Sequence, residues 1–98
     1  MMEASDQTKA VRVSIWGRVQ GVWFRAWTKE QADSLGLSGW VRNRRDGSVE
    51  ALFLGAGQAV DQMIERCWQG PPASHVEAVD MEPAQGIAAN RFEVKPTV

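Results

Sequence analysis

The chain has 98 residues, 44% of them hydrophobic, with 11 Lys/Arg against 12 Asp/Glu for a net charge of −1. That length suits one domain with one core, and the near-neutral balance argues against bulk attraction to nucleic acid. The single cysteine, Cys67, excludes an internal disulfide, the acid-bearing start lacks the apolar core of a signal peptide, and no apolar run approaches a membrane span, so a cytoplasmic protein without membrane attachment is expected.

Residues 1–8 read as a flexible tail, and residues 9–98 as a single domain. Val11, Val13 and Ile15 alternate with Arg12, Ser14 and Trp16, which predicts a first strand ending near Gly17. A glycine-punctuated loop follows. A helix is predicted from about Phe24 to Leu35, with Phe24, Trp27, Thr28, Gln31 and Leu35 along one face and Gly36 as its left-handed stop. A second strand covers roughly Ser38 to Asn43. The turn Arg44-Arg45-Asp46-Gly47 leads into a third strand, in which Val49, Ala51 and Phe53 share a face. Gly55-Ala56-Gly57 ends that strand, and a second helix starts near Gln58 or Ala59. Its apolar positions Val60, Met63, Ile64, Cys67 and Trp68 follow helical spacing, and Gly70-Pro71-Pro72 stops it. A fourth strand from about His75 to Met81 alternates imperfectly, which suggests a bulge. A short last strand, Arg91 to Lys95, places Phe92 and Val94 together.

This order predicts an α+β fold of the split βαβ, ferredoxin-like type, βαββαβ: an antiparallel sheet with two helices on one face and a short extra C-terminal strand. In that topology the first two strands run in the same direction with the third between them. Their C-terminal ends then share one rim, on the order of 10 Å apart. The glycine loop leaves the first strand there and Asn43 ends the second, so Arg25 and Asn43 are expected to face one site.

The chemistry of that site follows from the residue types. Gly17 and Gly21 permit backbone angles that turn successive N–H groups into an anion-binding concavity. Arg25 sits at a helix N-terminus, where a cation is unfavourable by roughly 0.3–1 kcal/mol unless an anion binds there. From spacing alone an anion site and an ordinary loop followed by a solvated Arg stand level, since neither common phosphate-loop motif is present. The charge distribution fits the former: residues 1–49 carry eight Lys/Arg and five Asp/Glu, net +3, whereas residues 50–98 carry three and seven, net −4. Arg, backbone amides and the neutral amide of Asn43 can hold a phosphoryl group and orient a water, but they supply no general acid. A compound with a good leaving group is the expected substrate. Cys67 falls on the apolar helix face, His75 starts a strand, and Trp23, Trp27 and Trp40 read as core or rim packing rather than substrate contacts. Arg42 and Arg45 read as solvated strand and turn residues. No His or carboxylate cluster suits a metal, and no cofactor is expected.

Two stretches, Gly17-Arg18-Val19-Gln20-Gly21-Val22-Trp23-Phe24-Arg25 and Gly39-Trp40-Val41-Arg42-Asn43-Arg44-Arg45-Asp46-Gly47-Ser48-Val49-Glu50, resemble the acylphosphatase family, whose pattern is G-x-V-Q-G-V-x-F-R followed by G-x-V-x-N-x-x-D-G-x-V. Gly70-Pro71-Pro72 is similar too, and the resemblance spans roughly residues 9 to 95. It implies metal-free hydrolysis of the carboxyl-phosphate anhydride of acyl phosphates to carboxylate and inorganic phosphate, by a monomer with no nucleic-acid or membrane partner. It also implies that Arg25 and the loop positions Gln20, Gly21, Val22, Trp23 and Phe24 bind phosphate, and that Asn43 positions the attacking water. Arg44 stands where many relatives carry Thr, and either adds phosphate attraction or faces solvent. The end of the chain lacks the Arg-Tyr close common in relatives. The alternative function is a non-catalytic phosphate-binding or RNA-binding module of the same fold, against which the third strand offers only Phe53 where RNA-recognition domains carry several aromatics.

Overall fold

In a computed structural model, residues 7–85 and 90–98 are described, and most of the expected tail lies outside them. The elements run β1 (Thr8–Arg18), α1 (Phe24–Ser34), β2 (Ser38–Asn43), β3 (Val49–Ala56), α2 (Gly57–Gln69), β4 (His75–Pro83) and β5 (Phe92–Val94). They form one five-stranded sheet in the order β4-β1-β3-β2-β5. β1 and β2 are each antiparallel to β3, which makes them parallel to one another, with β3 between them. The expected ferredoxin-like α+β architecture is present, with one correction. β5 pairs parallel to β2, so the sheet is mixed rather than wholly antiparallel.

Alternation explains which face is covered. Val11, Val13 and Ile15 of β1, Val41 of β2, and Val49, Ala51 and Phe53 of β3 point to one side and are buried with Phe24 and Ala32 of α1 and Val60, Met63 and Cys67 of α2. Each large member contributes about 1.5–3 kcal/mol on burial. Phe92 stacks on Phe53 with ring centroids 5.6 Å apart, which fastens β5 to the edge of β2. Beyond β5 the chain stays beside β2, because the N–H of Lys95 donates to the carbonyl of Val41 and the N–H of Val98 to the carbonyl of Asn43.

The bulge expected in β4 is present. Trp16 pairs with Ala78 but Gly17 pairs with Val76, which leaves Glu77 as the extra residue. Gly17 is required there: its φ is +123°, and a Cβ would sit 2.2 Å from the carbonyl oxygen of His75. Several assignments differ from the sequence reading. Thr8, placed in the tail, is a strand residue paired with Ala56, and the carbonyl of Gln7 accepts from the N–H of Gly57. α2 begins at Gly57 itself, one or two residues before the expected start near Gln58 or Ala59. Trp68, assigned to the apolar face of α2, is half exposed; the helix is buried on the sheet through Val60, Met63 and Cys67, with Ala59 and Ile64 packed partly buried beside them.

Candidate active site

The topology brings the loop after β1 and the end of β2 to one rim. There Val19, Gly21, Trp23, Phe24, Arg25, Ala26, Asn43 and Val94 line a cavity of about 480 Å³. Arg25 and Asn43 thus meet as expected. The loop is shaped by two left-handed residues, Gly21 with φ 75° and Trp23 with φ 69°. Alternating left- and right-handed residues turn N–H groups toward a common centre. Among the described residues, none of the amides of residues 20–26 has a main-chain acceptor. α1 starts with no side-chain cap and no acid in its first turn. Orphan donors and the positive end of the helix therefore face the cavity uncompensated. The sequence places a third positive element, the Arg25 guanidinium, where no carboxylate pairs with it among the described residues. A dianion with oxygens on several sides is the ligand that matches such a set.

Asn43 completes the other wall. Its side chain is half-buried, and its Oδ1 is buried without a hydrogen-bond partner among the described residues. An unsatisfied buried acceptor costs about 1–3 kcal/mol. It persists where a ligand or bound water donates to it.

Gln20, expected among the phosphate binders, has its side chain engaged elsewhere. Its Nε2 donates to the carbonyls of Arg44 at 2.7 Å and Ser48 at 2.8 Å. The side chain thus braces the loop against the turn that follows Asn43, fixing the two walls relative to one another. Spacing could not reveal this, since the partners are main-chain atoms across the fold. Trp23 also departs from the packing role: it is 81% exposed and borders the cavity. Trp27 does pack, edge-on to Phe24 at 5.3 Å. Trp40 lies under the guanidinium of Arg42 at 4.6 Å and the ammonium of Lys95 at 5.2 Å. Val94 is a cavity residue that the sequence did not single out; its place on the short β5, beside Val41, was the available signal.

The remaining candidates resolve simply. Burial pushes the Cys67 thiol up to about 12, so no thiolate is available. Asp46 holds the turn by accepting from both the hydroxyl and the N–H of Ser48, and those bonds keep its carboxyl below the usual range. Arg44 neither faces solvent freely nor reaches the cavity wall: its Nη1 donates to Glu50 Oε1 at 3.1 Å. Arg42 is likewise committed, its Nε donating to the same oxygen at 2.8 Å. Glu50 lies on the sheet face away from the helices. Burial alone would raise its carboxyl, but hydrogen bonds from Arg42 and Arg44 outweigh that and hold it below its ordinary value. A lowered folded-state value means stability present above the unfolded value near 4.5 and lost as pH falls through the folded one. Glu50→Gln should therefore flatten the loss of stability as pH falls below the unfolded value near 4.5, measured by denaturant midpoints. An unchanged slope would remove Glu50 from the acid response. Among the described residues no group of three or more His, Cys, Asp or Glu is placed to hold a metal ion, and no helix is long and apolar enough to cross a membrane.

A family model described as Acylphosphatase matches residues 11–94. An acylphosphatase of Rhizorhabdus wittichii is 57% identical over 99% of this chain and 100% of its own. Among solved structures, an acylphosphatase from Coxiella burnetii superposes with a TM-score of 0.86 at 33% identity, covering 90% of this chain and 93% of that one. The acylphosphatase from Bacillus subtilis does so with a TM-score of 0.85 at 34% identity, covering 91% and 99%.

Proposed function

Because the chain belongs to the acylphosphatase family, its reaction is the hydrolysis of acyl phosphates to carboxylate and phosphate, and we propose that Arg25 and the loop amides hold the phosphoryl group while Asn43 orients the attacking water. The observation that carries this division of labour is the shared cavity, lined on one side by Arg25, which has no ion-pair partner among the described residues, and on the facing element by Asn43.

The phosphoryl oxygens take the fork of Arg25 and the N–H groups of residues 20–24, donors already aimed before substrate arrives. Preorganised donors stabilise the charge that spreads over these oxygens in the transition state. Asn43 Oδ1 accepts a hydrogen bond from a water and points its lone pair at phosphorus, opposite the acyl oxygen. The water oxygen bonds to phosphorus as the bond from phosphorus to the acyl oxygen breaks. The carboxylate leaves with both electrons of that bond and is stable without protonation, so no general acid is needed. The proton shed by the water passes to the departing carboxylate and then to solvent. In this scheme every positive charge that the reaction requires comes from the chain itself.

In this reading the working unit is a monomer. We place it in the cytoplasm, with an acyl phosphate as its small-molecule substrate, inorganic phosphate as product and no nucleic-acid partner. The test is release of phosphate from benzoyl phosphate by the purified protein in excess EDTA. Turnover equal to that without chelator is expected. A clear fall restored by a divalent cation would contradict the charge assignment.

A further inference from the structure

The phosphoryl group accounts for only part of the cavity. A volume of about 480 Å³ lies in the range of roughly 300–1,000 Å³ that whole small molecules occupy. Outside the donors described above, the lining is apolar: Val94, 45% exposed, together with Ala26 and Trp23. Trp23 is costly for the fold twice over. Its backbone is the one left-handed non-glycine position among the described residues, a conformation worth about 1–3 kcal/mol of strain. Its indole is left 81% exposed, where folding gains little from it. The amide geometry explains the backbone, but any residue, glycine best of all, would provide that. The large apolar side chain is left without a structural reason and stands at the mouth of a site whose ligand has an apolar end.

We infer that Trp23, with Val94 and Ala26, forms the wall that receives the acyl group and favours acyl phosphates whose acyl part is aromatic or bulky and apolar. The inference rests on the phosphate-site reading above: with the phosphoryl group held by Arg25 and the loop amides, the acyl group extends along the remaining lining. An aryl group lying against the indole loses water from both surfaces and gains ring contact. An acetyl group has too little surface to gain from either.

The test compares benzoyl phosphate and acetyl phosphate as substrates of wild type, Trp23→Ala and Trp23→Phe. Ala and Phe carry the same left-handed strain as Trp, so the loop is not relieved by either change. The ratio of kcat/KM for benzoyl over acetyl phosphate should fall about tenfold in Trp23→Ala and recover in Trp23→Phe. An unchanged ratio, including an equal fall with both substrates, overturns the acyl-wall role. Stabilisation against thermal unfolding by inorganic phosphate, in wild type and Arg25→Ala, reports separately on the phosphate site. If phosphate stabilises both alike, the underlying reading fails and the inference fails with it.

Discussion

Arg25→Ala is expected to lower kcat/KM for benzoyl phosphate by about a thousandfold or more and to abolish phosphate binding. The magnitude follows from the function of the group. A single preorganised donor to a developing oxyanion is worth about 10²–10³ in rate, and an Arg that neutralises a transferring phosphoryl group about 10³–10⁵. Arg25 joins both functions in a partly buried site with orphan amides beside it. The same substitution should leave the folded state intact or slightly more stable, since a cation at a helix N-terminus costs about 0.3–1 kcal/mol when no anion is present. Thermal unfolding with and without phosphate separates the two effects. Wild type should gain stability with phosphate concentration by mass action, and the variant should not. Arg25→Lys should recover little, because an ammonium cannot reproduce the two parallel bonds of the guanidinium fork. A variant that still binds phosphate at wild-type affinity would move the anion site away from Arg25.

The second large effect is expected at Asn43, and it is of a different kind. Asn43→Ala removes the acceptor that orients the water but none of the donors that hold phosphate. Turnover should fall by about 10²–10³ while the affinity for inorganic phosphate changes only a few-fold. Stability should shift little, since the substitution also removes a buried oxygen that has no partner among the described residues. The neighbouring strand supports are left in place: the carbonyl of Asn43 still accepts from Val98, and the turn remains braced by Gln20.

How much of this was legible beforehand depends on the range of the interaction concerned. The bounds of β2 and the start of α1 were readable because alternation and a glycine stop act within a few residues. The juxtaposition of Arg25 and Asn43 was also readable, since the strand order alone puts the ends of β1 and β2 on one rim. The bulge at Glu77 left its mark as a broken alternation. What escaped depends on partners distant in the chain. The Gln20 brace uses two carbonyls of the hairpin turn, and main-chain acceptors have no sequence signature. The pairing of Arg42 and Arg44 with Glu50 needed the knowledge that all three gather on the uncovered sheet face. Trp23 is a related case. An aromatic residue in an apolar run reads as packing, and neither its left-handed backbone nor its exposure at the cavity mouth has a local sequence sign. The parallel attachment of β5 was hidden as well, because its three residues carry too short a pattern to indicate direction.

The most direct test of the account is a side-by-side measurement on Asn43→Ala: the dissociation constant for inorganic phosphate and kcat for benzoyl phosphate, each against wild type. Phosphate affinity held within a few-fold, with turnover down about a hundredfold or more, is the result expected if one side of the cavity binds and the other orients water. A parallel loss of both, or turnover that survives the substitution, would contradict that division and return Asn43 to the role of a strand-end residue.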